Sequence, residues 1–236
     1  MALKEFEFGF GHGSQKVSLP EEHILDVLEG NPTPACDVKE ATLECMRHPI
    51  GSKPLQEIVS KGDKVCIVCA DVTRIWNHSD QFVIHVVNEL NLAGIPDDDI
   101  SILFAQGTHR EQTPEEDIMV VGEELTKRVK LYQHHCMNKD ELVHVGDTSR
   151  GTPVWINKHA VEADKVIVID GITTHLFAGY GGGRKLILPG VAGDDTIQIN
   201  HCHALGEKFG SGINPKPAPP SLRTTPFPTT CRKPAT

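Results

Sequence analysis

Residues 171–190, GITTHLFAGYGGGRKLILPG, concentrate the side chains of this sequence that could do chemistry. The consecutive glycines Gly181, Gly182 and Gly183 permit close backbone approach and could form a nest of N–H groups for an anion. The spacing matches neither a P-loop nor a dinucleotide-binding G-x-G-x-x-G motif. The glycines therefore indicate either a binding loop or a flexible turn. Lys185 is either a surface lysine or, in a desolvated pocket, a nucleophile or an amine that binds a cofactor.

A second reactive segment is DVTR, residues 71–74. Arg74 could bind a carboxylate through two parallel hydrogen bonds. Asp71 and Thr73 could hold a neighbouring phosphate or hydroxyl group in place. The alternative is an Asp71–Arg74 ion pair that only orders the loop.

Several histidines have a context that suits catalysis or metal binding. His109 and His175 each come shortly after the end of a predicted strand. A lone histidine in that position is usually structural, but two of them could exchange protons on two sides of a substrate. His201 and His203 share a face in a strand and not in a helix. The sequence offers no convincing further pair of ligands for a complete zinc site.

Apolar segments with a regular spacing predict the elements that position these residues. Strands are predicted at 64–71, 100–106 and 163–171, with helices between them at 79–94 and 114–125. This alternation predicts an α/β fold: a mainly parallel sheet with helices on both faces, in three layers. The carboxyl ends of parallel strands lie at one edge, where ligands bind. We therefore expect the three polar segments that follow the strands to form one active-site rim.

The two ends of the chain differ from this central pattern. Residues 6–20 predict a small N-terminal hairpin. Residues 212–236 hold seven of the 16 prolines and predict a linker or disordered tail. We interpret 1–211 as one catalytic and cofactor-binding α/β domain. We interpret 212–236 as the truncated or frame-altered start of a missing C-terminal domain.

Composition excludes several classes of protein. The net charge is −9 and there is no run of Lys or Arg, so no nucleic-acid partner is expected. Apolar runs are too short to span a membrane, and the N-terminus lacks a signal-peptide pattern. The seven cysteines then predict reduced thiols in the cytoplasm. Cys66 and Cys69 lie inside a predicted strand, which favours core residues over a redox pair.

Four segments together resemble the N-terminal domain of the nickel-pincer lactate racemase family. They are SKPLQEIV…GDKVCIVCADVTR, FAQGTHREQTPEE, NHCHAL and the long segment 151–197, and the resemblance covers about 49–214. It implies a racemase or epimerase of small, lactate-like 2-hydroxy acids. It also implies a nickel-bearing pyridinium-3-thioamide-5-thiocarboxylic acid mononucleotide, cofactor-biosynthesis proteins as partners, and a C-terminal domain that packs on this one.

The resemblance also implies roles for individual residues. Lys185 would tether the cofactor covalently and His201 would bind nickel. His109 and His175 would be the catalytic pair, and Arg74 would orient the substrate carboxylate. The remaining site residues would lie near the cofactor: Asp71, Thr73, Gly181, Gly182 and Gly183.

The implied reaction passes through a planar 2-oxo acid. One histidine takes the hydroxyl proton while the C2 hydrogen leaves as hydride, and both return on the opposite face. The sequence departs from the family at Thr174, where proline is common, at Gly181, where serine is common, and after DVTR, where prolines are usual. These departures affect the expected substrate more than the expected cofactor. Two alternatives stay open: a catalytically silent nucleotide- or cofactor-binding module, and an enzyme in which Lys185 forms a Schiff base.

Overall fold

The computed structural model describes residues 2–31, 34–175, 178–206, 210 and 212–214. Most of the predicted Pro-rich tail, residues 215–236, lies outside the described residues. The chain divides into two compact units, 1–36 and 37–236.

The first unit is an antiparallel hairpin. Strands β1 (Leu3–Phe10) and β2 (Gly13–Pro20) pair from Leu3↔Pro20 to Phe10↔Gly13. Gly11 takes a φ of +58° between them, a conformation that glycine adopts without strain. The predicted hairpin is confirmed. A short 3-10 turn at Glu21–His23 follows it.

The second unit contains all the other regular elements among the described residues. Its helices are α1 (Val38–Arg47), α2 (Leu55–Ile58), α3 (Val83–Leu92), α4 (Pro114–Val121), α5 (Glu123–Arg128), α6 (Lys158–Val161) and α7 (Asp194–Cys202). Its strands are β3 (Val65–Ala70), β4 (Ile100–Ala105), β5 (Lys130–Tyr132), β6 (Leu142–Asp147), β7 (Pro153–Asn157), β8 (Lys165–Ile169), β9 (Thr174–His175) and β10 (Gly179–Tyr180).

A parallel four-stranded sheet forms the centre, in the order β5-β4-β3-β8. Every residue of β3 is buried, because elements cover both faces of the sheet. One face packs against α3, α4 and α5, and the other against α6, α7 and β7. The predicted three-layer α/β fold is confirmed.

The two cysteines of β3 show how the layers divide. Cys66 packs in the cluster on one face and Cys69 in the cluster on the other. Burial raises the pKa of the Cys66 thiol to about 11 and that of Cys69 to about 12. The interpretation of both as core residues is confirmed.

The predicted helix 114–125 is two helices. Thr113 caps α4 with a capping box that includes Glu116, and Pro114 occupies the first helical position. Gly122 has a φ of +82° and a ψ of 150°, which lie outside the helical region. The backbone therefore breaks there and restarts as α5. None of the described helices is long and apolar enough to cross a membrane.

His134, which follows β5, is a buried structural histidine. Its Nε2–H donates to the carbonyl of Ala192 at 2.9 Å, and its Nδ1 accepts from the Asn157 amide at 3.2 Å. Burial lowers the pKa of His134 to about 4. The ring therefore stays neutral while it joins three segments of the chain.

We expect His134 to make the protein sensitive to acid. The unfolded chain takes up a proton near pH 6.5, whereas the folded protein keeps the ring neutral to about pH 4. Stability therefore falls as the pH drops through this window, by about 3 kcal/mol at about 1.4 kcal/mol per unit. Urea unfolding at pH 7 and pH 5 should show a smaller decrease for His134→Gln than for wild type. An equal decrease in wild type and His134→Gln would contradict the assignment.

Candidate active site

A cleft of about 270 Å³ lies at the carboxyl ends of β3, β4 and β8. The loop that follows each of these strands contributes to its wall, as the sequence predicts. Eight of the ten predicted site residues line it: Asp71, Arg74, His109, His175, Gly181, Gly182, Lys185 and His201. Thr73 and Gly183 lie beside lining residues.

Asp71 and His109 form a close pair across two loops. The Nδ1–H of His109 donates to Oδ2 of Asp71 at 2.7 Å, and the Thr73 hydroxyl donates to Oδ1 at 2.6 Å. Asp71 is only 4% exposed. Because an ionised carboxylate only accepts hydrogen bonds, the neutral His109 ring must carry its hydrogen on Nδ1 and its lone pair on Nε2. His109 is thus set as a proton acceptor.

Arg74 is held by neutral groups. It lies in the 3-10 segment Val72–Asn77, and its Nη1 donates to the carbonyl and hydroxyl of Thr73 at 3.3 and 3.0 Å. Within the described part of the chain no carboxylate lies within ion-pair distance of Arg74. The alternative of an Asp71–Arg74 ion pair is wrong, since Asp71 pairs with His109 instead. The guanidinium charge at the cleft is therefore suited to an anionic ligand.

His175 has the opposite arrangement to His109. It lies on β9, and its Nδ1 accepts a hydrogen bond from the backbone N–H of Ala178 at 3.2 Å. The neutral ring therefore carries its hydrogen on Nε2. Burial lowers the pKa of His175, and the nearby positive charges of Lys185 and Arg74 lower it further. His175 is thus a neutral hydrogen-bond donor.

The two histidines of the NHCHAL segment are separated, because a helix and not a strand carries them. His201 lies on α7, lines the cleft, and donates its Nδ1–H to the carbonyl of Ile197 at 2.8 Å. That bond places the lone pair on Nε2, the form in which histidine binds metals. His203 follows α7 and contacts the Thr152 hydroxyl at 3.0 Å through Nε2.

The glycine-rich segment brings two parts of the backbone together. Gly182 has a φ of +74° and a ψ of −178°, a region that is essentially open only to glycine. A Cβ on Gly182 would lie 2.7 Å from the carbonyl oxygen of Gly171. Gly183 has a φ of +53°, but nothing lies within 4 Å of a Cβ there. Lys185 follows in the 3-10 segment Gly183–Leu186 and lines the cleft.

These contacts predict different costs for two adjacent substitutions. Gly182→Ala should lower the free energy of unfolding by about 3 kcal/mol or more, because it combines backbone strain with a backbone clash. Gly183→Ala should cost only about 1 to 2 kcal/mol, from the positive φ alone. Urea unfolding measures both values. Equal losses of unfolding free energy in the two variants would show that the Gly171 carbonyl does not restrict the side chain at position 182.

Among the polar residues that line the cleft, sequence reasoning missed Asp170 and Gln106. Asp170 directly follows β8, and its Oδ1 accepts from Asn77 Nδ2 at 2.5 Å and from the Gly171 N–H at 2.8 Å. Burial raises the pKa of Asp170. The strand-end rule that selected Asp71 would also have found Asp170. Gln106, 1% exposed, follows β4 and gave no chemical signal, since a lone glutamine matches no motif.

Comparison with known families decides the relationship. Residues 10–212 match the family model described as the lactate racemase N-terminal domain. The chain belongs to this family. Its match begins at residue 10, well before the resemblance at about 49–214, so it includes part of the hairpin.

Two curated lactate racemases are similar to this family member. The protein of Thermoanaerobacterium thermosaccharolyticum is 29% identical over 211 residues, which cover 85% of this chain and 47% of the relative. The protein of Lactiplantibacillus plantarum is 34% identical over 167 residues, which cover 69% of this chain and 38% of the relative. The chain thus spans less than half the length of either relative.

Solved structures support the fold assignment. The lactate racemase apoprotein of T. thermosaccharolyticum matches with a TM-score of 0.79 at 29% identity, over 97% of this chain and 52% of that one. A Thermotoga maritima protein matches with a TM-score of 0.56 at 25% identity, over 72% of this chain and 41% of that one. The fold of this family member is therefore that of one half of a lactate racemase chain.

Proposed function

We propose that this cleft belongs to a racemase or epimerase of a small 2-hydroxy acid, with lactate as the first candidate. One observation carries the proposal. Two histidines, one set to accept a proton and the other a donor, line the same cleft as Arg74 and Lys185. A substrate that inverts at one carbon requires proton-handling groups on both sides.

The residues of the cleft have distinct tasks in this proposal. Arg74 binds the substrate carboxylate, since its guanidinium matches that group in shape and charge. His109 takes the hydroxyl proton on Nε2, and Asp71 stabilises the imidazolium that forms. When the substrate oxygen lies on the side of His175, a protonated His175 returns one proton to it and becomes neutral. In the reverse direction neutral His175 takes that proton and protonated His109 returns one on the other side, so the pair serves either enantiomer.

The chain also fits the nickel-pincer mononucleotide that the family resemblance implies. His201 has the tautomer of a metal ligand, and Lys185 lines the same cleft as a candidate tether. In the described ranges no group of three or more His, Cys, Asp or Glu side chains could hold a metal ion alone. The proposal requires one nickel ligand from the protein, because the pincer supplies the others. When bound, the cofactor supplies an acceptor for the C2 hydrogen of the substrate.

Two partners follow from the proposal. The proteins that make the nickel nucleotide must deliver it to this cleft. The second candidate is a domain that covers the site, formed by the part of the relatives that lies beyond the matched half. Both rest on the cofactor assignment, which can be tested directly.

Intact-mass analysis tests the tether. Wild-type protein, co-produced with the cofactor-biosynthesis enzymes, should gain the mass of the mononucleotide less that of the group expelled when Lys185 forms the bond. Mass analysis after digestion should place this gain on the peptide that contains Lys185. Lys185→Arg keeps the positive charge but cannot form the bond, so it should gain no mass. Lys158→Arg, on α6, is the matched control and should behave as wild type. An adduct on Lys185→Arg, or none on wild type, would refute the assignment.

A further inference from the structure

A partly buried network of glutamine side chains extends from Gln106, which lines the cleft. Gln106 Nε2 donates to Gln133 Oε1 at 2.6 Å, and Gln133 Nε2 donates to Asp117 Oδ1 at 2.9 Å. Gln112 Nε2 donates to the same Asp117 oxygen at 2.7 Å. The network thereby connects the loop after β4, the first turns of α4 and the residue after β5.

Gln112 extends this network to the loop after β3. Its Oε1 accepts a hydrogen bond from the backbone N–H of Val72, 40 residues away in the sequence. The orientation of the amide is determined chemically. The Asp117 carboxylate only accepts, so Nε2 must face it, and Oε1 is left for the Val72 N–H. Gln112 is 6% exposed, so an unpaired amide group there would be costly.

The position of this bond matters because it lies next to the Asp71–His109 pair. Val72 is the residue after Asp71, and Gln112 is three residues after His109. The 2.7 Å bond between Asp71 and His109 spans two loops with different parent strands. The covalent chain does not hold these two loops together, so non-covalent contacts between them must do so.

We propose that Gln112 is a positioning residue that holds Asp71 against His109 through the Val72 N–H. Gln112 does not line the cleft, so it acts through Asp71 and not on a bound ligand. Its effect on catalysis rests on the proposed function, but its effect on the Asp71–His109 bond does not. The two can therefore fail separately.

NMR tests the structural half on the protein without cofactor. A histidine N–H that donates to a buried carboxylate gives a downfield proton resonance, assigned here by its loss in His109→Gln. Gln112→Met has a side chain of similar size without hydrogen-bonding groups, and it should lose or broaden this resonance. Gln133→Met removes an amide from the same network but not the bond to Val72, and it should keep the resonance.

A second variant removes the other partner of the bond. Val72→Pro deletes the N–H at the first position of a 3-10 segment, where proline is accepted. The preceding residue, Asp71, has a φ of −83° and a ψ of 178°, which suit a residue before proline. Val72→Pro should also lose the resonance, even if Gln112→Met does not fold. A retained resonance in a folded Gln112→Met or Val72→Pro protein overturns the proposal, as does its equal loss in Gln133→Met.

Turnover of the loaded protein tests the catalytic half. Each single variant should lower kcat by about 10- to 100-fold with little change in KM, because a misplacement of about 1 Å has effects of this size. The double variant Gln112→Met/Val72→Pro should lower kcat no more than either single variant does, because both substitutions remove the same bond. Additive losses, or an unchanged kcat, contradict the positioning role. If wild type shows no turnover, the proposed function fails while the NMR result still decides the role of Gln112.

Discussion

Asp71→Asn is expected to lower the turnover number of the loaded protein by about 10³- to 10⁴-fold. An asparagine can direct its NH₂ group at Nδ1 of His109, which favours the tautomer with the hydrogen on Nε2. The ring could then no longer accept the substrate proton. The mass adduct at Lys185 should remain, because Asp71 contacts His109 and Thr73. Chiral analysis of 2-hydroxy acid interconversion measures the loss.

Two comparisons sharpen this prediction. Asp98→Asn makes the same change at an exposed site before β4, at the opposite edge of the sheet, and should leave turnover unchanged. His109→Gln and His175→Gln should each abolish interconversion while cofactor loading persists. Small, equal effects of the Asp71, His109 and His175 substitutions on turnover would show that all three residues have only a structural role.

His201→Ala is expected to remove nickel from the protein almost completely while the organic adduct at Lys185 stays. The side chain supplies the one protein ligand in the proposal, and its Nδ1–H bond to Ile197 prepares Nε2 for that role. His203→Ala is the matched control, because His203 contacts Thr152 and does not line the cleft. It should keep about one nickel per chain. Metal analysis and intact mass of the same samples decide between the outcomes.

Equal nickel content in His201→Ala and wild type would contradict the ligand assignment. Loss of both nickel and adduct in His203→Ala would show that the whole end of α7 is needed for folding. His201 and His203 are close in sequence, so a difference in nickel content between the two variants comes from where each imidazole ring lies.

The sheet and the position of the cleft were predictable from the sequence. The strands β3 and β4 are almost continuous apolar segments, as strands buried on both faces are, and the half-buried edge strand β8 shows a similar apolar run. Parallel strands bring their carboxyl ends to one edge, so DVTR, GTHR and the segment after Asp170 had to meet. Local composition was sufficient to predict the cleft because each of these strands is recognisable from its own apolar residues.

Other features depend on contacts that local sequence does not encode. The three-residue strand β5 is too short to show a pattern, and it exists because β4 offers it an edge. Asp71 was expected near a cofactor, and only the order of the strands shows that it pairs with His109. The Gln112–Val72 bond joins residues far apart in the chain. Such pairings become visible only when the strands are placed.

The interconversion of lactate enantiomers tests the central claim most directly. Wild-type protein loaded with one cofactor and one nickel per chain should convert either pure enantiomer into an equal mixture of both, followed by chiral chromatography. Loaded Asp71→Asn protein, with the same nickel content, should leave both enantiomers almost unchanged. If fully loaded wild type converts neither lactate nor any other small 2-hydroxy acid, the cleft is not a racemase site.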